Sequence, residues 1–167
     1  MSDYMTEWIS IKELLQYGEH ITLECKKSKN AVPKSVWETY SSFANTNGGI
    51  ILLGVEEYKD AINIDERFVI SGVEDADKII KDFWSTMNGE KVSTNILKDS
   101  DVQIIDAGGK EVICIKVPQA DYRQRPVYIH DNPMKGTFKR NYEGDYHCSV
   151  EESMKRKSYH IEKKLLY

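Results

Sequence analysis

The sequence predicts one domain of the α+β or α/β class, in which helices cover a mixed β-sheet. Three observations carry this. Helical and strand periodicities alternate along the chain in the order α-β-α-β-α-ββ-β-β-α. Ile50–Val55 is an unbroken apolar run, as expected of a strand covered on both faces. Asp106-Ala107-Gly108-Gly109-Lys110 lies between two apolar runs, which is a hairpin signal. At 167 residues, the chain is long enough for one core and short for two.

Trp8, Ile9, Ile11, Leu14 and Leu15 recur at helical spacing in residues 6–17, and Gly18 stops that helix. Residues 20–26 alternate. Ile21, Leu23 and Cys25 take one side of a half-buried strand, and His20, Thr22, Glu24 and Lys26 the other. Pro33 suits the first turn of a helix over Lys34–Thr46, with Val36, Trp37, Tyr40, Phe43 and Ala44 as its apolar stripe. Gly48 ends that helix in a left-handed cap, and Gly49 stands where the sheet packs closely.

Phe68–Ile70 reads as a short strand, and Asp77–Met87 as a helix with Ile79, Ile80, Phe83, Trp84 and Met87 inward. Val102–Ile105 and Val112–Val117 form the hairpin, and Pro126–Ile129 and Thr137–Arg140 two further strands. Ser149 and Glu152 make a capping box for a helix over residues 149–160.

Hydrophobic residues make up 40% and charged residues 30%, which excludes a disordered chain. No apolar run approaches the ~18 residues of a membrane helix, and the N-terminus lacks the basic and apolar regions of a signal peptide. Cys25, Cys114 and Cys148 are far apart and free of zinc spacing, which suits free thiols in a cytoplasmic protein. The net charge of −4 is unevenly spread. Acidic residues dominate 54–111. Basic residues gather in three groups: Lys26, Lys27, Lys29 and Lys34; then Arg123, Arg125, Lys135, Lys139 and Arg140; then Lys155, Arg156, Lys157, Lys163 and Lys164.

Glu19-x4-Glu24-Cys25-Lys26, then Phe43-Ala44-Asn45-Thr46-x-Gly48-Gly49, then an apolar strand ending Gly54-Val55-Glu56-Glu57, resembles the Schlafen-type Alba-like domain. Arg125-Pro126-Val127-Tyr128 and Lys135-Gly136-Thr137-Phe138 with Arg140 continue the resemblance, which covers about residues 8–155 of a single domain spanning 1–167. It implies a Schlafen/Alba-like fold labelled DNA-binding or divergent AAA, used in bacterial transcriptional regulators as the N-terminal module of a longer chain. Eukaryotic relatives include ribonucleases with three carboxylates. Those map to Glu19, Glu24 and Glu57, the last being usually Asp in the ribonucleases.

Three function classes follow. The first is a nucleic-acid-binding module, for DNA or structured RNA, with no enzymatic role. Lys26, Lys27, Lys29, Arg123, Arg125, Lys139 and Arg140 would contact phosphates, and Tyr122, Tyr142 and Tyr146 would stack on bases. Lys26, Lys27, Arg125 and Arg140 are expected to share one surface. The second is an endoribonuclease in which Glu19, Glu24 and Glu57 hold Mg²⁺ or Mn²⁺ and activate water. The third is a non-catalytic interaction scaffold, homo-oligomerisation included, which the net negative charge favours. The Asn45–Gly49 turn lies at a helix end, where the dipole repels phosphate. No P-loop is present, so no ATP site is expected.

Overall fold

The structure, a computed structural model, describes residues 22–141, 144–149 and 151–153. The helix expected over residues 6–17, Glu19, Tyr142 and the basic residues beyond 153 lie outside the described residues. Strand β1 is Leu23–Lys26, helix α1 Val36–Asn45 and strand β2 Gly49–Leu53. Strands β3 (Val55–Glu57) and β4 (Phe68–Ile70) flank a single-turn helix α2 (Ile64–Arg67). Helix α3 is Ala76–Met87, and strands β5 (Val102–Ala107) and β6 (Lys110–Val117) follow. Helix α4 (Pro133–Gly136) precedes strands β7 (Phe138–Asn141) and β8 (Gly144–His147).

The main sheet has the order β1-β2-β6-β5. β1 and β2 are parallel, and the other two pairings are antiparallel, so the sheet is mixed as predicted. Parallel neighbours need a crossover, and α1 supplies it. β2 is an inner strand with Ile51, Leu52 and Leu53 fully buried and Ile50 half-buried. Ile51 and Leu53 join Ile113, Ile115, Tyr40, Phe43, Ile79 and Phe83 in the larger core. Leu52 joins Leu23, Val112 and Cys114 in a smaller core on the opposite face.

The apolar run does not continue as one strand to Val55. At Gly54, φ is +97° and an added Cβ would lie 3.0 Å from the Gly72 backbone. The chain therefore bends, and Val55–Glu57 leaves the main sheet to pair with Phe68–Ile70 in a separate ribbon. Asp75 caps α3 by accepting from the Lys78 N–H, and Ile79, Phe83 and Met87 point inward while Ile80 and Trp84 are half-buried. The hairpin closes on a two-residue turn at Gly108-Gly109. Pro126–Ile129 does not form a ladder strand. Tyr128 and Ile129 make only single bridges, to Thr137 and Val92.

Helix α1 is buried nearly all round, beyond the predicted stripe. Its apolar side enters the core, and its hydroxyl side meets β7. Ser41 Oγ donates to the Val127 carbonyl at 2.7 Å and accepts from the Phe138 N–H at 3.0 Å. The Tyr40 hydroxyl donates to the Thr94 carbonyl at 2.7 Å. Residues 151–153 are helical. The Ser149 N–H donates to Glu152 Oε1 at 3.2 Å and the Glu152 N–H to Ser149 Oγ at 3.1 Å, which is the expected capping box. Among the described residues, no helix is long and apolar enough to cross a membrane.

Candidate nucleic-acid interface

β1 keeps the predicted alternation. Leu23 is buried and Cys25 half-buried in the smaller core, while Glu24 and Lys26 share the other side. Glu24 Oε2 lies 2.9 Å from Arg140 Nη2, and Glu24 Oε1 lies 3.9 Å from Lys26 Nζ. Arg140 Nη1 reaches Asp145 Oδ1 at 2.8 Å, and Thr39 Oγ1 donates to the other oxygen of Asp145. Arg140 Nη2 also donates to the Leu23 carbonyl at 3.3 Å, on the outer edge of β1. The guanidinium sits 5.0 Å from the centre of the Phe43 ring. One arginine thus joins β1, α1 and the β7–β8 ribbon.

That placement corrects the expectation for Arg140. Its side chain is 2% exposed, so it is a buried counter-ion and not part of a surface shared with Lys27. Lys26 is also largely withdrawn from water. Its Nζ donates to Ser35 Oγ at 3.1 Å. Burial lowers its pKa from the ordinary lysine value, against the raising effect of Glu24 and Asp145.

Of the first basic group, Lys27, Lys29 and Lys34 are exposed, all in the loop that leads from β1 to α1. Lys27 pairs with Glu56 at 3.2 Å, and Lys29 with Glu74 at 3.7 Å. The Lys27 bond, with one from the Tyr58 hydroxyl, holds the Glu56 carboxyl below its ordinary pKa. Lys34 is exposed and makes no ion pair among the described residues. Lys78 joins this edge by donating to the Asn30 carbonyl at 3.3 Å.

The second basic group does not extend that surface as a unit. Lys139 is held by Glu152 at 2.8 Å, Arg123 is exposed and lies over the Tyr122 ring, and Arg125 is half-buried. Tyr146 is 51% exposed, whereas Phe138 is buried in the core.

Of the three carboxylates, Glu19 lies outside the described residues. Glu57 stands on the β3–β4 ribbon and not at the end of a central strand. It meets Arg67 Nη2 at 2.8 Å and Nε at 2.9 Å. Glu24 and Glu57 are therefore each engaged by a separate arginine. Among the described residues, no three of His, Cys, Asp and Glu are grouped to hold a metal. Cys25, on the strand between these groups, has its pKa pushed up to about 12, by burial first and then by Glu57 and Glu24.

Asn45, Gly48 and Gly49 of the Asn45–Gly49 motif each have a structural role. Asn45 Nδ2 donates to the carbonyls of Val127 at 2.8 Å and Phe138 at 3.0 Å, and Asn45 Oδ1 accepts from the Val127 N–H at 2.9 Å. Gly48 has φ +75° and donates its N–H to the Phe43 carbonyl at 2.7 Å. A Cβ at Gly49 would come within 2.7 Å of the Phe43 ring and the Thr22 carbonyl. Asp145, Thr39 and Arg67 were not legible as partners. Their contacts depend on strand pairing and helix placement, and only the spacing of Arg140 and Asp145 across a hairpin hints at one of them.

A mixed α+β domain with a buried ionic hub beside a basic loop is thus the class that fold and site define. The chain belongs to the Schlafen, AlbA_2 family, whose sequence profile matches residues 19–149. It is similar in structure to the N-terminal domain of a RecG-related protein, named for an ATP-dependent DNA helicase, from Nitrosomonas europaea. The two share 28% identity with a TM-score of 0.56, over 82% of this chain and 89% of that one. It also shares its fold with the DIP2311 protein of Corynebacterium diphtheriae, at 15% identity and a TM-score of 0.53. That match covers 92% of this chain and 28% of the other. No curated protein sequence matches the chain.

Proposed function

We propose that this domain binds nucleic acid through the phosphate backbone, using the Lys26–Ser35 loop, and serves as the binding module of a bacterial-type transcriptional regulator. The observation that carries the reading is the Lys26 Nζ to Ser35 Oγ bond. It closes the loop against the start of the ten-residue helix α1, where the helix dipole is positive. Lys27, Lys29 and Lys34 project from that loop, and the ammonium groups of the first two are solvent-exposed, so their pairs are easily exchanged for phosphate. The family and the helicase-derived name of the RecG-related neighbour support the same class of partner. The arginines that hold Glu24 and Glu57 favour binding over metal-dependent cleavage.

Such contacts give affinity without sequence choice. Binding of fluorescent DNA and RNA oligonucleotides, followed by anisotropy from low to physiological salt, tests the reading. The logarithm of the binding constant should fall linearly with the logarithm of salt concentration, and each lost phosphate contact should reduce that slope by roughly 0.7–0.9. The K27E/K29E/K34E variant should bind weakly with a shallower slope. Unchanged binding by that variant, or no binding at low salt, would overturn it.

A further inference from the structure

The outer strand of the main sheet away from the basic loop is β5. Its register with β6 starts from Ala107 opposite Lys110, across a two-residue turn. Such a turn is closed by a hydrogen-bonded pair, so Gln103, Ile105 and Ala107 direct their backbone groups to β6. Val102, Ile104 and Asp106 direct theirs outward. The Val102 N–H is taken by the Asp99 carbonyl, in agreement with this parity. Ile104 and Asp106 have no backbone partner on that outer edge among the described residues. The strand, Val-Gln-Ile-Ile-Asp-Ala, carries no proline, lysine or bulge of the kind that blunts an open edge.

The side chains there have a defined charge. Asp106 stands directly opposite Glu111, a like-charge cross-strand pair that costs stability. Both are exposed, and neither makes an ion pair among the described residues. The adjacent Lys110 does not neutralise them, because its Nζ reaches the Ile70 carbonyl at 3.3 Å. Asp99 is exposed at the other end of the strand.

We propose that this edge receives an extended, basic segment of a partner protein, which adds as a fifth strand. Its backbone would pair with Ile104 and Asp106, and its lysines or arginines would meet Asp106 and Glu111. A second copy of this chain is the poorer occupant. Antiparallel self-pairing would crowd two sets of these acidic residues onto one edge.

The test uses the full chain and a fluorescein-labelled peptide of three Lys-Val repeats. Its control is the same peptide N-methylated at alternate residues, which keeps the charge and removes strand pairing. The unmodified peptide should bind and slow amide exchange at Ile104 and Asp106, and the control should bind at least tenfold more weakly. D106K/E111K should lose binding at least tenfold with salt-dependent oligonucleotide binding unchanged. E111K alone should weaken it while leaving the Asp106 to Gly109 turn bond intact. Equal binding of the control, no protection of those two amides, or indifference to both variants would overturn the proposal. So would amides already protected in a peptide-free dimer.

Discussion

Arg140 Nη2 stands 2.9 Å from Glu24 Oε2, although the two residues are 116 positions apart in the chain. The arginine side chain is 2% exposed, so the bond is made where lost hydration is costly and screening is weak. Removing the cation leaves Glu24 and Asp145 with only the more distant Lys26 ammonium to balance them. Arg140→Met is expected to lower the free energy of unfolding by about 3–5 kcal/mol. Arg140→Lys should recover only part of this, because an ammonium lacks the planar fork that serves both carboxylates. Urea titration with an unchanged slope is the measurement. A loss under about 1 kcal/mol for Arg140→Met, the scale of an exposed ion pair, would show the hub to be dispensable.

Asn45 offers a sharper comparison, since its amide serves both as donor and as acceptor inside the protein. Asn45→Ala removes the partner of the Val127 N–H and of the Phe138 carbonyl, while the Val127 carbonyl keeps its bond from Ser41 Oγ. Each buried group left unpaired costs about 1–3 kcal/mol. Asn45→Asp should be worse, although it is nearly the same size, because it sets a carboxylate against two carbonyl oxygens. Thermal melts should rank the wild type above Ala and Ala above Asp. An Asp variant as stable as the wild type would rule out the clamp.

Periodicity made β2, α1, α3 and the β5–β6 hairpin legible, because each buries a regular set of apolar side chains. Leu52→Ala should accordingly cost about 2–5 kcal/mol, whereas Ile62→Ala, at a fully exposed site, should stay within about 0.5. Equal costs in denaturant titration would reject that assignment. The bend at Gly54 was hidden because it depends on Gly72, far along the chain. β8, Gly-Asp-Tyr-His, has no apolar alternation and is defined by its pairing with β7. At the candidate site, the common side of Glu24 and Lys26 could be read from alternation alone. The burial of Arg140 could not, since it arises from two carboxylates and a ring brought together by tertiary packing.

Cys25 should be an unreactive thiol although it is only half-buried. A free cysteine has a pKa near 8.5, and here burial, Glu57 and Glu24 push it up to about 12. At pH 8 its thiolate fraction is then smaller by roughly three orders of magnitude. Iodoacetamide labelling read by mass spectrometry should spare Cys25 in the native protein and modify it in urea. Glu57→Gln removes one of the charges that raise the pKa, so it should speed native labelling. Native labelling as fast as in urea would contradict this environment.

Glu152 provides the acid-side test. The Lys139 ammonium, 2.8 Å away, and the Ser149 N–H hold its carboxyl down to about 2. A folded-state pKa below the unfolded value means that the contact stabilises fully above about 4.3 and is lost as pH falls through 2. The side chains are about a third exposed, so the contribution is modest and weakened by salt. The Glu152 carboxyl carbon signal should titrate near pH 2. Protection of the Ser153 amide, which donates to the Ser149 carbonyl at 2.9 Å, should fall over the same window. Lys139→Met keeps much of the apolar stem and removes the charge, so it should move the midpoint up toward the ordinary value. A wild-type midpoint near 4.3 would mean that Lys139 and Ser149 do not hold this carboxylate, and that the start of the helix at residue 151 rests on the Ser149 hydroxyl alone.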